Sequence, residues 1–167
     1  MGENQTPASA TDRVRQALTA AGVTARVRRL DSSARTAALA AEQLGVEVGA
    51  IANSLVFVAD GEPLLVMTSG AHRVDTARVS RAIGVRRIDR ADPDFVRRHT
   101  GQTIGGVAPV GHPAPLRTLV DVALADHPRL WAAAGHPHTV FPTTYAELLA
   151  ITGGTATVVA SDGTAPS

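Results

Sequence analysis

Neither cysteine nor lysine occurs anywhere in these 167 residues. Without cysteine there are no disulfides, thiolate nucleophiles or cysteine metal sites. Without lysine, all 16 basic residues are arginine, and Schiff-base chemistry, a lysine general base and a lysine phosphate clamp are excluded together. Aromatic residues are almost as scarce: three Phe, one Tyr and one Trp are too few for a base-stacking platform. The net charge of +1 gives no broad field to draw in long nucleic acid, so any RNA contact rests on a few local arginines. No apolar run approaches the roughly 18 residues of a membrane span. The opening MGENQTPASATDR lacks the apolar core of a secretory signal, and the expected location is the cytoplasm, with no membrane partner.

What is present reads as one domain. Loose tails are expected over residues 1–10 and 161–167, which are rich in Ser, Thr, Pro, Gly and Ala, with the folded domain spanning 11–160. From Thr11, helical spacing of Val14, Ala17, Leu18 and Ala21 predicts a helix stopped by Gly22. Alternation over 24–30 predicts a strand, with Ala25 and Val27 against Arg26 and Arg28. A second helix carries Ala37, Ala40, Ala41 and Leu44 between a Ser33 cap and Gly45. The apolar runs 53–59 and 63–68 flank Asp60-Gly61, a hairpin signal. Asp75 caps a third helix, with Val74 and Val79 as a hydrophobic staple, and Asp92-Pro93 opens a fourth. Further strands are expected over 116–124 and 155–160; between them a segment around 130–134 leads into 139–141, and a Thr144/Glu147 capping box precedes a last helix. Interspersed helices and a hairpin predict an α+β domain whose mixed, largely antiparallel sheet is surrounded by helices.

The most informative stretch is the loop Gly101–Gly111. Gly105 and Gly106 leave room for a ligand beside the main chain, and Pro109 stiffens the far side. Such a loop aims backbone N–H groups at one point, as a carbonyl or oxyanion site requires; it is equally what a tight surface turn looks like. The surrounding order is more specific. Leu44-Gly45-Val46, the run Ile51 to Phe57, Asp60-Gly61, Leu65-Val66-Met67, Val74-Asp75, Gly105-Gly106-Val107-Ala108-Pro109, Val120-Asp121 and the closing Gly135 to Leu149 segment together resemble the YbaK/EbsC family over about residues 12–160. That family comprises free-standing aminoacyl-tRNA deacylases and the editing insertion of bacterial prolyl-tRNA synthetase. The resemblance implies hydrolysis of the ester between a mischarged small amino acid and the terminal adenosine of tRNA, without a cofactor. It implies that Gly105, Gly106 and Asn53 carry the catalysis, and that Val107, Ala108, Pro109, Ser54 and His136 bind substrate. It also implies a tRNA acceptor end, and a prolyl-tRNA synthetase, as partners; no DNA partner is expected. On that basis Gly106→Val is expected to fill the space of the substrate and abolish activity in a folded domain.

The chain departs from the family at Asn53, where the family carries a lysine associated with the terminal nucleotide. Three readings stand: Asn53 holds the terminal ribose or a water; Arg73 supplies the missing charge as the nucleic-acid contact; or deacylation is lost and the domain is a non-catalytic small-molecule or protein-binding module. His136 and His138 would share one face of an extended segment and so offer a metal site, but no carboxylate accompanies them and no metal is expected. His72, His99, His112 and His127 read as surface residues. Arg86-Arg87-Arg90 and Arg97-Arg98 read as solvated faces with an option on acceptor-stem phosphates.

Overall fold

Asp60 and Gly61 turn the chain through left-handed φ values of 49° and 87°, and so fold two long strands back on each other. These strands, β2 (Ile51–Ala59) and β3 (Glu62–Ser69), pair antiparallel from Ala52↔Ser69 to Ala59↔Glu62 and form the spine of the fold. The twist of a two-residue turn with both φ positive suits the twist of its strands, which is why this dipeptide so reliably marks a hairpin. The computed structural model describes residues 9–24 and 26–161. Residues 1–8 and 162–167, most of the expected tails, lie outside it, as does Ala25 of the expected first strand.

Around the hairpin run α1 (Ala10–Ala20), β1 (Arg28–Arg29), α2 (Ala37–Leu44), α3 (Thr76–Ile83), β4 (Ile88–Arg90), α4 (Pro93–Thr100), β5 (Arg117–Asp121), β6 (Leu130–Ala133), β7 (Thr139–Thr143), α5 (Tyr145–Thr152) and β8 (Thr155–Thr157). The strands make one sheet in the order β1-β7-β6-β2-β3-β5-β8. The β1–β7, β6–β7, β2–β3 and β2–β4 pairs are antiparallel; β2–β6, β3–β5 and β5–β8 are parallel. The mixed sheet surrounded by helices is the architecture the sequence predicts.

Strand alternation on β3 builds the core on both faces. Leu65 and Met67 pack with Val14, Leu18, Val96, Leu124, Phe141 and Leu148. Leu64 and Val66 turn the other way, onto Val79 of α3 and Leu119. Ala40, Ala41, Ile51 and Val140 join α2 to the sheet margin. Side-chain caps start the helices: Asp75 accepts from Arg78 N–H at 3.0 Å and Asp92 from Phe95 N–H at 2.8 Å, as their positions predict.

Several expectations are revised. Thr36, not Ser33, caps α2, accepting from Leu39 N–H at 3.2 Å. The Thr144 cap forms, but the Glu147 carboxylate takes the Thr143 hydroxyl at 2.7 Å, so half of the capping box is missing. The 116–124 run is not one strand: β5 stops at Asp121, whose carboxylate accepts from Ala123 N–H at 2.9 Å and turns residues Val122–Asp126 into a 3-10 helix. The predicted strands at 24–30 and 155–160 shrink to β1 and β8, and β4 is a strand the sequence reading missed. Among the described residues no helix is long and apolar enough to cross a membrane.

Candidate functional site: a cleft in the sheet edge

One edge of β2 is shared by two short strands. β6 pairs with its first two residues, Ile51 and Ala52, and β4 with its last three, Phe57 to Ala59. β3 occupies the opposite edge throughout. Between the two short partners the edge of Asn53–Val56 is left open, and a cleft enters the sheet there. Its floor is β2 from Asn53 to Phe57. One wall is the start of α2 (Arg35, Thr36, Ala37), the other is the loop residues Ile104, Gly105 and Val107, and Arg90 with Ala91 closes the far end. The outer part measures about 310 Å³. An inner nook of about 40 Å³ continues from it, lined by small and apolar residues including Ala34, Ala37, Ala40, Ile51, Ala133, Pro137 and Val140.

The glycine-rich loop is braced from inside by a residue the sequence reading passed over. Gln102 is 1% exposed. Its Oε1 accepts from Ala108 N–H at 2.6 Å, and its Nε2 donates to the Val110 carbonyl at 3.2 Å. His112 holds the other side of the same residue, with Nε2 2.8 Å from the Ala108 carbonyl. A carbonyl only accepts, so Nε2 carries the proton. Gly106 N–H is spent as well, donating to the Thr103 carbonyl at 2.9 Å. The cleft-lining Gly105 and Val107 are left with backbone N–H groups that have no acceptor among the described residues. The Asn53 amide likewise lines the cleft without a hydrogen-bond partner among the described residues.

The two adjacent glycines serve different ends. Gly105 has φ +91°, and a Cβ there would stand 3.3 Å from Cα and Cβ of Arg35. Gly106 packs against the backbone of another loop: a Cβ there would lie 2.7 Å from the His136 carbonyl carbon and 2.8 Å from the Pro137 nitrogen. Its role is close approach of two backbones. The expectation that a side chain at 106 would meet the substrate is therefore corrected; it meets the protein.

Of the residues singled out from sequence, Asn53, Ser54, Gly105 and Val107 line the cleft. Ala108 is fully buried, and Pro109 faces a separate depression beside His112 and Pro113. His136 is exposed and does not line the cleft, although its neighbour Pro137 does. Arg73 lies in another depression with Asp75 and Ser161; there the Ser161 hydroxyl and then the Arg78 N–H hold the Asp75 carboxyl below its ordinary value. His136 and His138 sit in a turn with ring centres 5.3 Å apart, and His136 Nδ1 accepts from His138 N–H at 3.1 Å. No set of three or more His, Cys, Asp or Glu side chains able to hold a metal is gathered among the described residues. His72 is tied to the buried Asp121, with Nδ1 2.9 Å from its carboxylate.

His112 is not the surface residue expected. Burial pulls its imidazole below the ordinary value, partly offset by the bond to the Ala108 carbonyl. The unfolded chain therefore takes up a proton near pH 6.5 that the folded chain resists. Stability present above about pH 6.5 is lost as the pH falls below it. Melting temperature should drop between pH 7.5 and 5.5, and His112→Gln should flatten that drop; equal slopes in the two proteins would place the acid sensitivity elsewhere.

Comparison with known proteins matches this geometry to a family. A model of the aminoacyl-tRNA editing domain matches residues 31–151. The proline–tRNA ligase of Levilactobacillus brevis is 27% identical over 86 residues, 52% of this chain but only 15% of the ligase. The uncharacterized protein YwhH of Bacillus subtilis is 29% identical over 123 residues, covering 73% of this chain and 78% of YwhH. The crystal structure of a candidate trans-editing enzyme for prolyl-tRNA synthetase superposes with a TM-score of 0.87 at 39% identity, over 94% of this chain and 100% of that one. The chain belongs to the aminoacyl-tRNA editing domain family, with the YbaK-like fold that its sequence resembles.

Proposed function

We propose that this protein hydrolyses the ester linking a wrongly attached small amino acid to the 3′-terminal adenosine of a tRNA, acting in the cytoplasm on tRNA charged by prolyl-tRNA synthetase. The observation that carries this reading is the pair of unengaged backbone donors at Gly105 and Val107 beside a nook of about 40 Å³. In this reading the amino-acid side chain enters the nook and the ester carbonyl oxygen meets the loop. A water attacks the carbonyl carbon, the backbone N–H groups stabilise the negative charge that develops on the oxygen, and the bond to the ribose oxygen breaks. The products are the free amino acid and a tRNA with its terminal hydroxyl restored. Such an ester is already activated, so positioning and oxyanion stabilisation supply the acceleration. Asn53 presents a donor and an acceptor to the ribose or to the attacking water.

A water needs about 10–15 Å³ on this measure of volume, so the nook admits a side chain of the size of Ala, Ser or Cys. Deacylation of tRNA charged with these residues should be measurable, and tRNA charged with Leu should be spared. Absence of turnover with all three small residues would sink the enzymatic reading. Asn53→Ala should slow turnover with little change in melting temperature, because its amide engages no partner within the protein. Asn53→Lys should tighten tRNA binding about three- to thirtyfold. One observation favours the second reading, binding without turnover: no residue lining the cleft is a carboxylate or an imidazole. The same assay separates the two.

A further inference from the structure

Arg35 and Arg90 are the only charged residues lining the cleft, and no acidic residue lines it. In a chain of net charge +1 this is a strong local imbalance. Neither guanidinium is paired with a carboxylate among the described residues, whereas Arg15, Arg87 and Arg97 are paired with Asp12, Asp89 and Asp94. The two sit at different depths. Arg35 lines both the inner nook and the outer cleft, and its stem lies against Gly105. Arg90 lines only the outer part, across from Phe57 in the β2–β4 ladder. Phe57 stands four residues along β2 from Asn53, roughly 13 Å at strand rise.

We propose that Arg35 and Arg90 grip separate phosphodiester groups of the RNA 3′ end, Arg35 near the terminal nucleotide and Arg90 at the mouth. The cleft thereby distinguishes an ester carried on an RNA chain from the same ester on a free nucleoside. This rests on the reading of the cleft as an aminoacyl-tRNA site, and assigns to these arginines the charge that Asn53 lacks. Arginine suits the task, since its planar fork meets two phosphate oxygens at once and it is always charged.

Two contacts to single-stranded phosphates predict a log–log salt slope for RNA binding of about −1.4. Fluorescence anisotropy of an RNA hairpin ending in single-stranded CCA measures it. Arg35→Gln and Arg90→Gln should each reduce the slope to about −0.7, and the double variant should bring it near zero. Arg35→Gln keeps the part of the stem that packs on Gly105, so the fold is preserved. Arg15→Gln, on the exposed face of α1, should leave the slope unchanged. In deacylation, both cleft variants should raise KM for aminoacyl-tRNA about five- to thirtyfold, and raise KM for a 3′-aminoacyl-adenosine without phosphates by a much smaller factor. Slopes that stay at the wild-type value, or equal slowing of both esters, would overturn the clamp. If the wild type hydrolyses neither ester while the slopes fall as stated, the hydrolytic reading fails and the clamp stands.

Discussion

Gly106→Val is expected to destabilise the domain by about 3 kcal/mol or more, at or beyond the top of the range for overpacking a well-filled interior. The colliding partners are backbone atoms of His136 and Pro137 at 2.7–2.8 Å, and they have no side-chain rotamer by which to yield. That segment is pinned from several sides. The Pro137 carbonyl accepts from Ala34 N–H at 2.8 Å, the His138 carbonyl from Leu30 N–H at 2.7 Å, and the His136 carbonyl from Thr139 N–H at 3.0 Å. Any shift therefore spreads to Pro137 and Thr139, which line the nook. Thermal or denaturant melting should show a large loss, with activity falling alongside it. Gly105→Ala is the informative companion, because its Cβ would press on Arg35 at 3.3 Å from the cleft side. A Gly106→Val protein that melts like the wild type would show that the two loops are not in register as described.

Gln102→Leu should cost about 2–6 kcal/mol, since it strands two buried backbone groups at about 1–3 kcal/mol each. The Ala108 N–H loses its 2.6 Å acceptor and the Val110 carbonyl its 3.2 Å donor, in a setting where Gln102 and Ala108 are almost wholly excluded from solvent. Leucine is close in size to glutamine, so the cost is polar and not volumetric. Gln102→Glu is the discriminating variant: a carboxylate still accepts from Ala108 N–H but cannot donate to Val110. It should fall between the wild type and Gln102→Leu in a urea melt near neutral pH, unless the charge itself is the larger penalty, in which case acidification should bring the variant back toward the wild type. Indistinguishable melting of Gln102→Leu and wild type would remove Gln102 from the account of how the loop is held.

The hairpin and the caps at Asp75 and Asp92 are legible because each depends on neighbours within a few residues, and the sheet reads as mixed because that hairpin excludes a purely parallel one. The cap of α2 was misassigned between two hydroxyl residues, Ser33 and Thr36, that local pattern does not separate. β5 was read too long because Asp121 looks like one polar residue in an apolar run; only its bond to Ala123 N–H shows that it ends the strand. In the site, the Gly105 loop and Asn53 stand out as sequence; Arg90 reads with Arg86 and Arg87 as a solvated face with an option on phosphates, and Arg35 does not stand out at all. Arg35 and Arg90 lie 55 residues apart in the chain, and only the divided edge of β2 brings both to one cleft. The contrast between Gly105 and Gly106 was equally hidden, because what stands opposite Gly106 comes from residues 136–137. Gln102 and His112 were invisible for a simpler reason: a polar residue in a loop reads as solvent-facing until its burial is known.

The divided edge of β2 also fixes when, during synthesis, the site comes into being. β2 and β3 are adjacent in the chain and pair as soon as both have emerged, but Ile51 and Ala52 wait for Trp131 and Ala132. At about 5–20 residues per second the intervening 80 positions take the ribosome roughly 4 to 16 seconds. Through that interval the start of β2 is an open strand edge with apolar neighbours, the form in which unfinished chains pair wrongly with one another. The nook is absent as well, since Ala133, Pro137 and Thr139 have yet to be made. Under the proposed function, turnover would accordingly report completion of the chain as much as its chemistry, and growth conditions that slow synthesis between β3 and β6 should lower the yield of protein with a complete cleft before they lower the yield of protein.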